Sequence, residues 1–170
     1  MDHVLQNPPL PTAQFKPVLA RAAIIATILG SALALLNQSA AIFGAAEIQW
    51  LPLILVYLTP FLVVSLSQIL GAREARAAAA WITEFRESFA QTLVSHGIPA
   101  RAIALGLAAG GINTAIVATD SLLAGRGLDQ LPAGLILQAL ALPVLFGALS
   151  QTMAFRRTIR RTARPSFATA

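Results

Sequence analysis

The chain reads as an all-α integral membrane protein. Its four transmembrane helices form a parallel tandem repeat of two-helix hairpins, joined by an amphipathic cytoplasmic helix. Three observations predict this. Of the 170 residues, 56% are hydrophobic and 11% charged, where an ordinary soluble domain has roughly 25% charged. Four charge-free runs, 22–46, 48–72, 102–119 and 130–155, are each about as long as the ~20 residues a spanning helix needs. Finally, the second half of the chain repeats the first.

Residues 1–16 carry Pro8, Pro9 and few apolar residues, the composition of a loose tail. They lack the basic start and early apolar stretch of a secretory signal. The first repeat, 17–71, holds a helix from Arg21 to Gly44, a turn through Glu47, and a second helix from Pro52 to Gly71. A connector spans 72–98. The second repeat, 99–154, holds a helix from Arg101 to Ala124, a turn with Arg126 and Asp129, and a helix from Pro132 to Ala154. Residues 155–170 form a basic tail. Helices of 22–24 residues reach ~33–36 Å at 1.5 Å per residue, enough to cross a bilayer with some tilt.

The repeat rests on particular residues. Arg21 matches Arg101, Gly30 matches Gly110, and Leu51–Pro52 matches Leu131–Pro132, all at a spacing of 80. After three extra residues, Pro60 matches Pro143 and Leu66–Ser67–Gln68 matches Leu149–Ser150–Gln151. Eleven of the twelve basic residues fall on one side of the predicted spans, Arg126 being the exception. The positive-inside rule then places both termini and the connector in the cytoplasm. With an even number of crossings per repeat, both copies insert the same way round, unlike the inverted repeats of many transporters.

In the connector, Trp81, Phe85, Phe89 and Leu93 recur every four residues while Arg76, Glu84, Arg86 and Glu87 take other faces. That is the pattern of a helix lying on the cytoplasmic membrane surface. It serves equally as a spacer between the repeats. The arginines of the C-terminal tail suit anionic lipid, each contributing about 1 kcal/mol near the surface.

Several chemistries are excluded. Without Cys there is no disulfide, thiolate metal site or cysteine nucleophile. His3 and His96 lie outside the apolar runs, so no intramembrane His cluster and no metal site is expected. The net charge of +5 follows membrane topology and does not form a nucleic-acid stripe. No nucleophile–base pair lies within the helices, so neither an enzyme nor a cofactor is expected.

Polar residues inside membrane helices are costly, and function is sought there. Asn37, Gln38, Tyr57, Asn113, Thr114 and Gln138 are candidates for a polar pathway; amide N–H groups can donate to an anion without burying a fixed charge. The competing reading is hydrogen bonding between helices, at ~0.6–2 kcal/mol per contact. For Asp120, three roles compete: a proton-coupled carboxylate, an ion pair with Arg126, or an exposed mouth residue, and its place near the outer interface favours the last two. Gly106 and Gly110, with Ala26 and Gly30 at the matching positions, form small-xxx-small motifs for close helix contact. Pro60 and Pro143 each remove an N–H and free the carbonyl four residues back, at Val56 or Ala139. Such breaks are tolerated where protein or water lines the site.

The stretch Gly30–Gln38 (GSALALLNQ), a later Leu-Pro, and Tyr57-Leu-Thr-Pro60-Phe resemble the NrtS-type nitrate/nitrite transporters, small two-helix bacterial membrane proteins, some acting as paired subunits. Residues 17–70 and, more weakly, 99–153 carry the likeness. Asn37 and Gln38 match the family's second Asn and its Gln, whereas Leu33 and Ala40 replace its first Asn and its Asp. In the second copy Asn113 and Asp120 match, whereas Val117 and Ala118 replace the other two. The resemblance implies nitrate or nitrite uptake across a bacterial inner membrane, by two specialised copies fused in one chain. Four helices leave little room for an enclosed pathway, so the expected route is a pore among the subunits of a homo-oligomer. The alternative is a non-transporting anchor or assembly subunit. A cation or drug exporter would want a more central carboxylate than Asp120.

Overall fold

A computed structural model describes residues 15–45, 47–79, 85–123, 125, 127 and 133–162. Among them all regular structure is helical: α1 Phe15–Ile42, α2 Trp50–Ala79, α3 Phe89–Ser95, α4 Ile98–Leu123 and α5 Ala133–Thr162. By length and composition, α1, α2, α4 and α5 can each cross a membrane, and the chain is a membrane protein. Arg126, Leu131, Pro132, Trp81, Ile82 and Glu84 lie outside the described residues, as does the predicted tail up to Gln14.

The long helices hold 28, 30, 26 and 30 residues, or ~39–45 Å at 1.5 Å per residue. The hydrocarbon core is only ~30 Å thick. The surplus explains where the sequence reading stopped short: α2 continues past Gly71 to Ala79, and α5 past Ala154 to Thr162. Arg73 and Arg156 mark the end of the apolar run but not of the helix, because Ala, Arg and Glu are strong helix formers that continue it in water. At the other end Pro17 and Pro99 sit in the first turns of α1 and α4, where no intrahelical N–H bond is lost.

α2 and α5 form the central pair; α1 packs on α2, and α4 packs on α5 with a smaller contact to α2. The outer helices bury one stripe each, stepping by four residues: Val18, Ala22, Ala26, Gly30, Ala34 and Gln38 on α1, and Ile98, Ala102, Gly106 and Gly110 on α4. Small side chains along an i, i+4 ridge let backbones approach. The opposite faces expose Ile28, Leu36, Ile112 and Leu123, as lipid tails allow.

The approaches are close. A Cβ at Gly71 would overlap the Gln151 carbonyl oxygen, and one at Gly110 would overlap that of Ala139. The Ala139 carbonyl is the one deprived of its partner by Pro143, and the Gly110 backbone covers it. Gly106 meets Val144 of α5 and Gly30 meets the Tyr57 ring of α2. The predicted small-residue contacts therefore fall within each hairpin.

The connector is not one amphipathic helix. Residues 85–88 are non-helical, and α3 has seven residues. Ser88 begins it with a capping box: its hydroxyl accepts from the Gln91 N–H at 3.2 Å, and its own N–H donates to Gln91 Oε1 at 2.8 Å. This Ser-x-x-Gln signal specifies a helix start inside the run that the four-residue period would bridge. Phe85 packs instead on Phe155, ring centroids 6.2 Å apart, beside the buried Ala75 and Ile159. Arg156 of α5 donates to the Glu87 carbonyl at 2.8 Å and to Thr92 Oγ1 at 3.1 Å, holding the connector against the bundle.

Candidate functional site

A cavity of about 430 Å³ lies between α1, α2, α4 and α5. Its lining comes from the C-terminal halves of α1 and α4 and the N-terminal halves of α2 and α5, the end of the bundle remote from most arginines. Leu55, Val63, Val117, Leu142 and Phe146 supply apolar wall, and Pro60 and Pro143 both face it. Val56 and Ala139, whose carbonyls the prolines deprive of a partner, line it too. At Val56 such a break is tolerable because water or a polar solute in this space can serve the carbonyl, whereas the Ala139 carbonyl lies under Gly110.

Polar groups converge from all four helices and the loop before α2: Asn37 and Gln38, Gln49, Thr59, Asn113, Thr114, Asp120 and Ser121, and Gln138. Five of the six predicted pathway residues are thereby brought together. Tyr57 is not. Its ring covers Gly30 and its hydroxyl lies 3.2 Å from Ser31 Oγ, outside the cavity lining. Positions 52, 55, 56, 59, 60 and 63 of α2 make up the lining face, and Tyr57 falls to the side of it, where it packs on α1.

The lining residues differ in what they can offer a solute. Gln38 is already committed: its Nε2 donates to the Gln49 carbonyl at 2.9 Å, and its Oε1 accepts from the Gln49 N–H at 3.2 Å. It stands at a kink, with φ −127° and ψ 26°, and ties the end of α1 to the start of α2. Thr114 donates to the Gly110 carbonyl at 2.8 Å, so its hydroxyl offers the cavity only acceptor capacity. Among the described residues no hydrogen bond engages the side-chain amides of Asn37, Asn113 or Gln138. Together with the side-chain amide of Gln49, which is likewise unengaged among the described residues, they are the available amide N–H donors. Asp120 lines the cavity and has an interaction of its own; the arginine proposed as its partner, Arg126, lies outside the described residues.

Gln49 and Ser121 went unrecognised in the sequence. Gln49 precedes α2 in a loop and Ser121 ends the apolar run of α4, so neither stood out as an intramembrane polar residue. Only the fold over the cavity mouth brings them in.

The other end of the bundle is basic. Arg156, Arg157, Arg160 and Arg161 line a second, more open hollow with the apolar Phe89 and Met153. Glu74 of α2 pairs there with Arg101 of α4 and accepts from Gln151 of α5. His96 Nε2 lies 3.1 Å from Glu87 and its ring stacks on Phe155, centroids 4.2 Å apart.

Set beside known proteins, the chain matches no family model, and no curated protein or solved structure shows significant similarity.

Proposed function

We propose that this protein transports a small inorganic anion, nitrate or nitrite, through the cavity between its four membrane helices. The observation that supports this reading is the convergence of unengaged side-chain amides, Asn37, Gln49, Asn113 and Gln138, on one space between the four helices. Nitrate is planar and weakly hydrated. Neutral N–H donors can replace its water without the trapping that a fixed positive charge would cause. The volume of about 430 Å³ leaves room for such an ion with several waters, each ~30 Å³ in the liquid.

The small-residue stripes of α1 and α4 run in parallel, Ala22 with Ala102, Ala26 with Gly106 and Gly30 with Gly110. They support a tandem repeat of hairpins related to the NrtS-type unit. The sequence reading placed the pore between subunits. Because the cavity lies inside one chain, we place the pathway there and leave homo-oligomerisation to side-by-side packing of the exposed apolar faces. The positive-inside rule puts the arginine-rich end, with both termini, on the cytoplasmic side of a bacterial inner membrane. Its four-arginine hollow suits anionic lipid headgroups, with Phe89 and Met153 toward the acyl chains.

A second reading draws on Asp120. A carboxylate on the cavity wall, with an interaction of its own, is a feature that a cation pathway would also carry. One experiment separates the readings: flux into liposomes holding only the purified protein, with nitrate, nitrite, chloride and sodium compared under an imposed voltage. Saturable or conductive nitrate flux above chloride is expected. Asn37→Leu combined with Asn113→Leu should abolish it while the protein still elutes as a folded species. Sodium flux without nitrate flux would favour the Asp120 reading, and no flux at all would favour an anchor or assembly subunit.

A further inference from the structure

Beneath the cavity the polar features do not stop. Gly147 of α5 marks a junction of three helices: a Cβ there would stand 3.3 Å from Ser67 Oγ, 3.6 Å from Val63 Cγ1 and 3.8 Å from Ala102 Cβ. Val63 lines the cavity; Ser67 is one turn further on. The Ser67 side chain is fully buried, and among the described residues its hydroxyl has no hydrogen-bond partner. Ser65 Oγ and Gln68 Oε1 are buried and unpartnered beside it in sequence. A bundle meant only to be sealed would fill such positions with apolar side chains, since an unpaired buried polar group destabilises the fold.

One more turn toward the basic end, the way is shut. Gly71 lies against the main chain of Gln151 with no space for a methyl group. Just past that contact the Gln151 amide, 1% exposed, donates toward both oxygens of the Glu74 carboxylate at 3.2 and 3.3 Å. The Arg101 guanidinium pairs with the same carboxylate, and its remaining nitrogens donate to the carbonyls of Gly97 and His96. The Gln151 amide and Arg101 Nη1 thus converge on one carboxylate, and such charge-assisted and amide N–H donors serve any planar oxyanion equally. Here a carboxylate of the chain itself occupies them.

We propose that Arg101 and Gln151 form a second site for a planar oxyanion, plugged in this closed state by Glu74. The site is reached from the cavity past Ser67 when α2 and α5 part at Gly71. The transported anion then exchanges with the Glu74 carboxylate, which closes the site again after release. This rests on the transport reading above, because it assigns the same anion a second stop on one route.

The test uses the absence of Cys from the chain. Ser67→Cys places one thiol on the proposed route, and its rate of reaction with a small methanethiosulfonate reagent reports whether water reaches it. In the otherwise native protein that reaction should be slow. Adding Glu74→Gln, which keeps the shape but removes the tethered charge, should speed it about tenfold, and nitrate but not chloride should slow it again. Arg101→Gln should also free Glu74 and speed labelling, but nitrate should then give no protection. In liposomes, Glu74→Gln should lower the nitrate concentration at half-maximal flux. Unchanged labelling in either folded variant would overturn the plug. Faster labelling indifferent to nitrate in Glu74→Gln would overturn the oxyanion site. Nitrate protection without any nitrate flux would instead sink the transport reading and leave this site standing.

Discussion

Gly71, Gly110 and Gly111 are chemically identical and physically unlike. The first two press on backbone, the Gln151 and Ala139 carbonyls, whereas Gly111 has nothing within 4 Å of where a Cβ would stand. Backbone cannot swing aside as a side chain can. Gly71→Ala and Gly110→Ala should therefore each cost about 1–3 kcal/mol of stability. Gly111→Ala should instead stabilise by up to ~1 kcal/mol through helix propensity. Thermal unfolding of the three variants in one detergent checks this, and equal effects would mean that α4 does not sit on α5 as described. Sequence spacing singled out Gly110 and Gly106 through a small-xxx-small motif, and that motif does mark the contact. Gly71 carried no motif, and only its partner on α5 shows its importance. The amides divide in the same way. Asn37 and Gln38 are neighbours of similar chemistry, yet Gln38 spends its amide on the Gln49 main chain and Asn37 does not. No rule of sequence separates them, because the difference lies in which residue faces the returning chain.

Hydrophobic length located the four long helices, but their ends followed other physics. A charge-free run measures what can lie in hydrocarbon, and a helix continues through water as long as propensity allows. That is why α2 and α5 outrun the apolar segments that announced them. The connector shows the opposite error. A four-residue aromatic period suggested one helix, but residues 85–88 are non-helical and the capping box at Ser88 starts a short α3. Phe85, counted as a lipid-facing residue of that helix, packs on Phe155 instead. Ser88→Ala removes the cap at a cost of about 1 kcal/mol. Because Arg156 is held by Glu87 and Thr92, the effect should reach α5. Amide hydrogen exchange at Gln91 and Thr92 should quicken about fivefold, in keeping with that cost. Protection unchanged from the native protein would show that packing on α5, and not the cap, sets the start of α3.

At the scale of the whole molecule the two ends are opposites: a cavity with neutral amides at one, and four arginines around an open hollow at the other. The arginines repel one another, and no carboxylate lines their hollow among the described residues. Anionic headgroups would relieve that repulsion at about 1 kcal/mol per arginine. Added phosphatidylglycerol should then raise the melting temperature by about 2–4 °C for each kcal/mol gained, and phosphatidylcholine should not. The triple variant Arg157→Gln, Arg160→Gln, Arg161→Gln should lose most of that rise. If inorganic phosphate gives the native protein the same rise, the hollow reads phosphate and not a membrane.

Composition and periodicity alone determined the class, the number of long apolar helices and the set of intramembrane polar residues worth considering. Those features depend on the free energy of each segment in lipid or water, which is a local property. Tertiary structure decided which polar residues meet. It gathered Asn37, Asn113 and Gln138 around one cavity, turned Tyr57 away, and brought Glu74, Arg101 and Gln151 together from three helices. Glu74 carried no signal in the sequence, because nothing in its neighbours along the chain reveals that α4 and α5 will supply its partners. Helix-to-helix register is set by small-residue ridges and kinks acting between segments far apart in sequence, and that nonlocal packing is what places a functional group.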